Sequence, residues 1–267
     1  MSVAIILPAR LASTRLPNKL LLDRSGKTVL EHTIDRAFEA ISQGLVARII
    51  VATDNRLIAE AANRANVEAV MTSPDHTSGT DRIAEVAANL KEEIIVNLQA
   101  DEPEIDPKNI RAVAQLLSAP EKAPMATLAV PIFDESLWQK SSVVKVVVSG
   151  NGHAMYFSRA TIPFVRDDSP PAAPLWQENG RRVFGLHHVG IYAYRRDFLL
   201  GYKSLPASKL EQLEKLEQLR ALEAGHSIKV AVVEHNPPGI DTPEDYEAFL
   251  QRLKAKNQKP ETRNQEL

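Results

Sequence analysis

The sequence predicts an α/β fold: a mixed sheet flanked by helices, with a smaller appended subdomain. Three observations carry this expectation. Short β-branched runs alternate with amphipathic helical segments over the first hundred or so residues, the pattern of a doubly wound parallel sheet. After about Pro124 the alternation lapses into strands with no helix between each pair. The length of 267 residues, 44% hydrophobic and 25% charged, describes an ordinary globular chain.

The elements follow in order. Val3 to Leu7 is a β-branched run, read as a buried parallel strand, and it stops at Pro8. A polar loop carries Arg10, Ser13, Thr14, Arg15, Pro17, Asn18 and Lys19. Thr28 caps a helix and Glu31 completes a capping box; Val29, Ile34, Ala37, Phe38 and Ile41 supply its apolar face. Val46 to Ala52 is a strand, Arg56 to Arg64 a helix and Val67 to Met71 a strand. The loop Thr72 to Thr80 leads to a helix over Asp81 to Leu90 and a buried strand at Ile94 to Leu98. Met125 to Val130, Val143 to Val148, Ala154 to Phe157 and Val189 to Tyr194 read as strands of the appended part, expected within residues 125–205. Residues 167–180, rich in Pro, read as an exposed loop. Ser208 to Ala224 reads as one helix closed by Gly225. A strand at Ile228 to Val233 and a helix at Pro243 to Leu253, opened by Asp241-Thr242-Pro243, complete the fold. A single domain is expected over 1–254, with 255–267 a polar tail that frays.

Composition excludes several classes. Lys plus Arg is 32 against 34 for Asp plus Glu, a net charge of -2, which argues against a broad nucleic-acid surface. With no Cys there are no disulfides, thiolate zinc sites or thiol nucleophiles. No uncharged apolar run approaches the ~20 residues that span a bilayer, and no basic segment precedes the first apolar run. A soluble cytoplasmic protein is expected. Walker A, G-x-G-x-x-G, H-E-x-x-H and G-x-S-x-G patterns are all missing.

Four features carry chemistry. Arg10, Arg15 and Lys19 follow the first strand, with no acidic residue until Asp23. At the carboxyl end of a strand in an α/β sheet they suit a polyphosphate, or they form a solvated basic loop. Gln99-Ala100-Asp101-Glu102-Pro103 follows a buried strand at the same sheet edge. Asp101 either caps a turn or faces the phosphates across a divalent cation. Asp241 reads locally as an N-cap, and also as a second metal carboxylate. Glu217 falls on an apolar stripe of its helix and needs a partner: a polar ligand, an Arg or an interface. His188 and Arg159 are single residues in or after strands; a lone His is more often a hydrogen-bonded structural residue than a catalyst.

The segments LPARLASTRLPNKLL, MTSPDHTSGTDRIAEV, IVNLQADEP, MATLAVPI, VKVV, YFSRATIPF, HHVGIYAYR, LEKLEQLRAL and DTPEDYE together resemble the 3-deoxy-manno-octulosonate cytidylyltransferase (CMP-Kdo synthetase) family, over about residues 2–250. The resemblance implies a nucleotidyltransferase, Rossmann-like fold and a homodimer. It implies transfer of CMP from CTP to the anomeric hydroxyl of the sugar acid Kdo, with release of pyrophosphate, for lipopolysaccharide-type glycan synthesis. By the matching motifs, Arg10, Arg15 and Lys19 would contact the triphosphate. Pro8, Ala9, Ser78, Gly79, Thr80 and Gln99 would line the nucleotide, and Asp101 and Asp241 would hold Mg²⁺. Gln99, Arg159, Arg166, His188, Tyr192, Glu217 and Gln218 would face the sugar acid, with Arg159 and His188 the candidates for its carboxylate. Lys19, Arg10, Asp101 and Asp241 would be the catalytic set.

Two positions depart from the family pattern: Asn18 and Ala100 stand where it usually has Gly. Asn tolerates the left-handed backbone, so Asn18 is expected to keep the loop's shape; Ala100 adds a methyl near the site. The chemistry needs no nucleophilic side chain, only positioning and charge neutralisation. Rival readings are a cytidylyltransferase for a related acid such as 8-amino-Kdo, and a non-catalytic nucleotide-binding descendant.

Overall fold

The structure is a computed structural model and describes residues 2–118, 123–164, 166, 177–178 and 180–258. The strands are β1 (Val3–Ala9), β2 (Ala47–Thr53), β3 (Glu68–Met71), β4 (Ile94–Asn97), β5 (Met125–Ile132), β6 (Lys145–Val148), β7 (Ala154–Ser158), β8 (Gln177–Glu178), β9 (Arg181–Arg182), β10 (Gly185–Arg195) and β11 (Ile228–Val232). The helices are α1 (Val29–Ser42), α2 (Arg56–Arg64), α3 (Gly79–Ala87), α4 (Pro107–Leu116), α5 (Glu135–Gln139), α6 (Arg196–Gly201), α7 (Lys209–Glu214), α8 (Gln218–Glu223) and α9 (Pro243–Gln258).

The main sheet runs β11-β5-β10-β4-β1-β2-β3. β3, β2, β1 and β4 are parallel, the doubly wound part. β10 enters antiparallel to both β4 and β5, and β11 pairs parallel with β5, so the sheet is mixed. β6 pairs with β10 at Leu186–His187 and carries β7 outward as an antiparallel partner. Strand alternation divides the core into two layers. Val3, Ile5 and Leu7 of β1 pack with α1, α2, α4 and α9; Ala4 and Ile6 pack with α3, α6 and α8.

Several elements differ from the sequence reading. α4 lies in a stretch to which the sequence reading assigns no element; Asp106 caps it, with Pro107 at its first position. The helix expected over 208–224 is two helices, because Lys215 adopts φ 54° between α7 and α8. Leucines at every third position drift around a helix and share no stripe; the break buries Leu216 and Leu219 and leaves Leu213 exposed. Phe38, expected on the buried face of α1, is exposed. The helix expected from Asp81 begins at Gly79, one residue after its cap Ser78.

Of the loop expected over 167–180, residues 167–176 and 179 lie outside the described residues; Gln177–Glu178 pairs with Arg181–Arg182 as a short ribbon. α9 runs past Leu253 to Gln258. Glu104 supplies the reason: its carboxylate accepts from Arg252 Nε at 2.8 Å and lies 3.8 Å from Lys256 Nζ, so the basic end of the helix has a partner. Residues 259–267 of the expected tail lie outside the described residues.

Candidate active site

β1 and β4 run parallel and end at the same sheet edge, as ligand sites in open α/β sheets require. The N-terminus of α3 opens on that edge. Ser78 Oγ accepts from the Asp81 amide at 3.1 Å. Gly79 opens the helix beside Pro8 at the end of β1: a Cβ at position 79 would stand in ordinary contact, 3.4 Å from Pro8 Cγ. The free peptide N–H groups there favour an anion. A cleft of about 410 Å³ results, walled chiefly by Arg10, Arg15, Lys19, Gln99, Asp101 and Asp241.

Lys19 is the hub of this cleft. Asn18, at φ 53°, takes the left-handed conformation and turns the chain into the short 3₁₀ segment that starts at Lys19. Lys19 Nζ donates to Asp101 Oδ2 at 2.5 Å and to Asp241 Oδ1 at 3.1 Å. Arg15 Nη2 lies 3.1 Å from the other Asp241 oxygen. Burial alone would lower the Lys19 pKa, but the charge and hydrogen bond of Asp101, then those of Asp241, outweigh it and hold the ammonium above its ordinary value.

The local alternatives for the two aspartates are settled by their partners. Thr242, not Asp241, caps α9: Thr242 Oγ1 accepts from the Asp245 amide at 3.2 Å. Asp245 Oδ2 in return accepts from the amides of Thr242 at 2.9 Å and Asp241 at 3.0 Å. This reciprocal capping releases the Asp241 carboxylate into the cleft. Asp101 likewise gives its carboxylate to Lys19 rather than to a turn, while its carbonyl accepts from the Ile240 amide at 2.9 Å and so ties the two loops together.

Glu102, passed over in the sequence, turns inward behind Asp101. Its Oε2 is sealed from solvent without a hydrogen-bond partner. Burial first, then the charges of Asp101 and Asp241, push its carboxyl up to about 7. Its only sequence signal was adjacency to Asp101. The carboxylate oxygens of Asp101 and Asp241, with Glu102 behind them, are the hard donors that a divalent cation takes. Among the described residues no three His, Cys, Asp or Glu form a closed metal cage, and a cation shared with substrate phosphates needs none.

The other expected residues divide. Arg10 lines the cleft and donates to the His76 carbonyl at 2.6 Å. Pro8, Gly79 and Gln99 also line it, whereas Ala9 is fully buried in the core and Ser78 serves as a cap. Thr80 is buried, and its hydroxyl donates to Glu217 Oε2 at 2.7 Å, which answers the question of that carboxylate's partner. Gln99 Nε2 donates to Asn97 Oδ1 at 3.2 Å, and Asn97 stands opposite Tyr192 in the β4–β10 register. Tyr192 in turn packs on His188, ring centroids 5.3 Å apart.

His188 is buried at a bulge in β10. Thr127 Oγ1 lies 2.7 Å from the Ile191 carbonyl and 3.0 Å from His188 Nε2. With its one proton on the shorter contact, Thr127 accepts from Nε2–H and leaves Nδ1 as an acceptor. Burial, then His187, pushes the His188 pKa down to about 3, so the ring is neutral. Gln218 is buried with Nε2 unpartnered. Arg159 is held by Glu214 and Ser141. Arg166 is exposed, and like Arg159, His188, Tyr192, Glu217 and Gln218 it lies outside the set that lines the cleft; Gln99 is the expected sugar-side residue within it.

The sequence profile described as "Cytidylyltransferase" matches residues 4–228. The 3-deoxy-manno-octulosonate cytidylyltransferase of Rhodopirellula baltica is 45% identical over 96% of this chain and 100% of its own length. That of Herminiimonas arsenicoxydans is 49% identical over 92% of this chain and 96% of its own. The chain belongs to the 3-deoxy-manno-octulosonate cytidylyltransferase family. A solved structure of CMP:2-keto-3-deoxy-manno-octonic acid synthetase complexed with CTP matches with a TM-score of 0.86 at 39% identity, covering 96% of this chain and 100% of the other.

In this cytidylyltransferase the two departures are accommodated differently. Asn18 supplies the left-handed turn itself. Ala100 is buried in the core with its carbonyl accepting from Thr33 Oγ1 at 2.9 Å. The described non-glycine residues of positive φ are Asn18, Asn66 and Lys215, so the backbone at Ala100 demands no glycine.

Proposed function

We propose that this chain transfers CMP from CTP to the anomeric hydroxyl of 3-deoxy-manno-octulosonate and releases pyrophosphate. The observation that carries the proposal is the convergence of Lys19, Asp101 and Asp241, far apart in sequence, at the edge where β1 and β4 end. The family membership names the two substrates. The sugar hydroxyl forms a bond to the α-phosphorus as the bond to the pyrophosphate oxygen breaks, in line. Arg10, Arg15 and Lys19 gather the triphosphate and offset the charge that grows on the leaving pyrophosphate. The N-terminus of α3 adds to this field.

Asp101 and Asp241 would hold Mg²⁺, with Glu102 deepening the negative potential behind them. Bound there, Mg²⁺ supplies polarisation of the phosphoryl oxygens and of the attacking hydroxyl. On the sugar side are Gln99, Arg159, His188, Tyr192, Glu217 and Gln218, with Arg166 at the periphery. A neutral His188 offers hydrogen bonding and no charge, so Arg159 is the cation for the sugar carboxylate. The enzyme acts as a cytoplasmic homodimer through the 125–205 region, where Met155 and Phe164 are apolar and exposed; no helix among the described residues is long and apolar enough to cross a membrane.

The test is a comparison of kcat/KM for Kdo and 8-amino-Kdo with CTP and Mg²⁺. Preference for Kdo is expected; turnover confined to the amino sugar would overturn the substrate assignment.

A further inference from the structure

Lys145 opens β6 and is fully buried. In register it stands opposite Ser158 of β7 and His187 of β10, between the strand that leads to Arg159 and the strand that carries His188. Its three donors are all spent on backbone: Nζ donates to the carbonyls of Lys140 at 2.9 Å, Val143 at 2.6 Å and Arg159 at 2.7 Å. An ammonium has no fourth donor, so Lys145 does not itself contact a substrate.

What it holds is Arg159, from two directions. One bond fixes the Arg159 backbone directly. The other two fix the turn at residues 140–143, whose Ser141 carbonyl accepts from Arg159 Nη1 at 3.1 Å. Glu214 completes the frame. Its carboxylate accepts from Ser158 Oγ at 2.6 Å and from the Arg159 amide at 2.9 Å, and its carbonyl accepts from Arg159 Nε at 2.8 Å. The guanidinium is thus held at Nε and at Nη1, with Nη2 left for a ligand. The charges agree: Glu214 offsets one of the two cations, and a single positive charge remains at Arg159 for an anion.

We infer that Lys145 is a positioning residue: it aims the guanidinium of Arg159 and thereby sets affinity for the sugar acid, not for the nucleotide. This rests on the reading of Arg159 as the partner of the sugar carboxylate. A buried cation is a costly way to join two strands, since an apolar side chain fills such a space without desolvating a charge. The gain is a guanidinium held in one orientation by its bonds to Glu214 and Ser141, and misplacement of about 1 Å can cost two orders of magnitude.

The experiment compares Lys145→Gln, Lys145→Arg, Arg159→Ala and the double variant Lys145→Gln/Arg159→Ala. Lys145→Arg keeps the buried charge, but its planar fork cannot offer three donors from one nitrogen. Melting temperature, CTP dissociation constant, and KM for CTP and for Kdo are measured for each. The expected result is a Kdo KM raised about tenfold or more in each Lys145 variant, with CTP affinity within about twofold. The double variant is no worse than Arg159→Ala alone, because the two residues act as a unit. A folded Lys145 variant with unchanged Kdo KM, alongside an impaired Arg159→Ala, overturns the inference and leaves the role of Arg159 standing. An unimpaired Arg159→Ala overturns the reading on which it rests.

Discussion

Asp241 and Thr242 are neighbours with opposite predicted roles, so substituting each in turn separates catalysis from folding. Asp241→Asn removes a charge that is 51% exposed and paired with Arg15, itself 64% exposed. Such exposed pairs contribute about 0–1 kcal/mol. Lys19 keeps its 2.5 Å bond to Asp101, and the Thr242–Asp245 cap is untouched. The expected shift in melting temperature is therefore under about 4 °C. Loss of one of the two carboxylates of the proposed cation site is expected to lower kcat by about a hundredfold or more, about 2.7 kcal/mol in the barrier.

Thr242→Ala does the reverse. Loss of the cap costs about 1 kcal/mol, or about 2–4 °C, with kcat within about twofold of wild type. Pyrophosphate release under saturating CTP and Kdo gives kcat; scanning calorimetry gives the melting temperature. Near-normal turnover in Asp241→Asn, or a Thr242→Ala variant that melts normally but does not turn over, would refute the division of labour.

Arg82 is fully buried, donates to Asp54 at 2.6 Å and also bonds the Thr72 hydroxyl, so Arg82→Met is expected to cost about 3–5 kcal/mol in urea unfolding; a loss under about 1 kcal/mol contradicts this. Thr80→Val deprives Glu217 of its hydroxyl donor and is expected to raise the Kdo KM more than the CTP KM; an equal rise in both would place Glu217 elsewhere. His188 has a folded pKa of about 3 against an unfolded value near 6.5, so protonation favours the unfolded chain. Its contribution is intact above about pH 6.5 and is lost as pH falls towards 3, with a slope of up to about 1.4 kcal/mol per pH unit. The stability of His188→Gln should fall less steeply than wild type between about pH 6 and 4; parallel curves contradict this.

The parallel half of the sheet was readable because buried β-branched runs and capped helices alternate there, and Thr28 with Glu31 forms the expected capping box. The charged groups of the cleft were readable because Lys19 lies in the loop that leaves β1 and Asp101 in the loop that leaves β4, at the carboxyl ends of adjacent parallel strands. Asp106-Pro107 carries the same opening signal as the segment before α9, and Ile110, Val113, Ala114 and Leu117 recur at helical spacing, so α4 is legible in the sequence although the reading assigns it no element. What failed elsewhere has physical causes. Lys215 enters the left-handed region without a glycine to mark it. Glu102 and Lys145 owe their meaning to burial and to carbonyls brought in from other segments, which no local spacing reveals. Asp241 was misread as a cap because Thr242 beside it can cap equally well, and only the hydrogen bonds show which of the two does.

The most direct test of the central claim is to follow CTP, Mg²⁺ and Kdo with the purified protein by phosphorus and carbon nuclear magnetic resonance. The account predicts one pyrophosphate for each CTP consumed and a new phosphodiester on the anomeric carbon of the sugar acid. CTP that stays intact, or pyrophosphate released without a bond to that carbon, would contradict it.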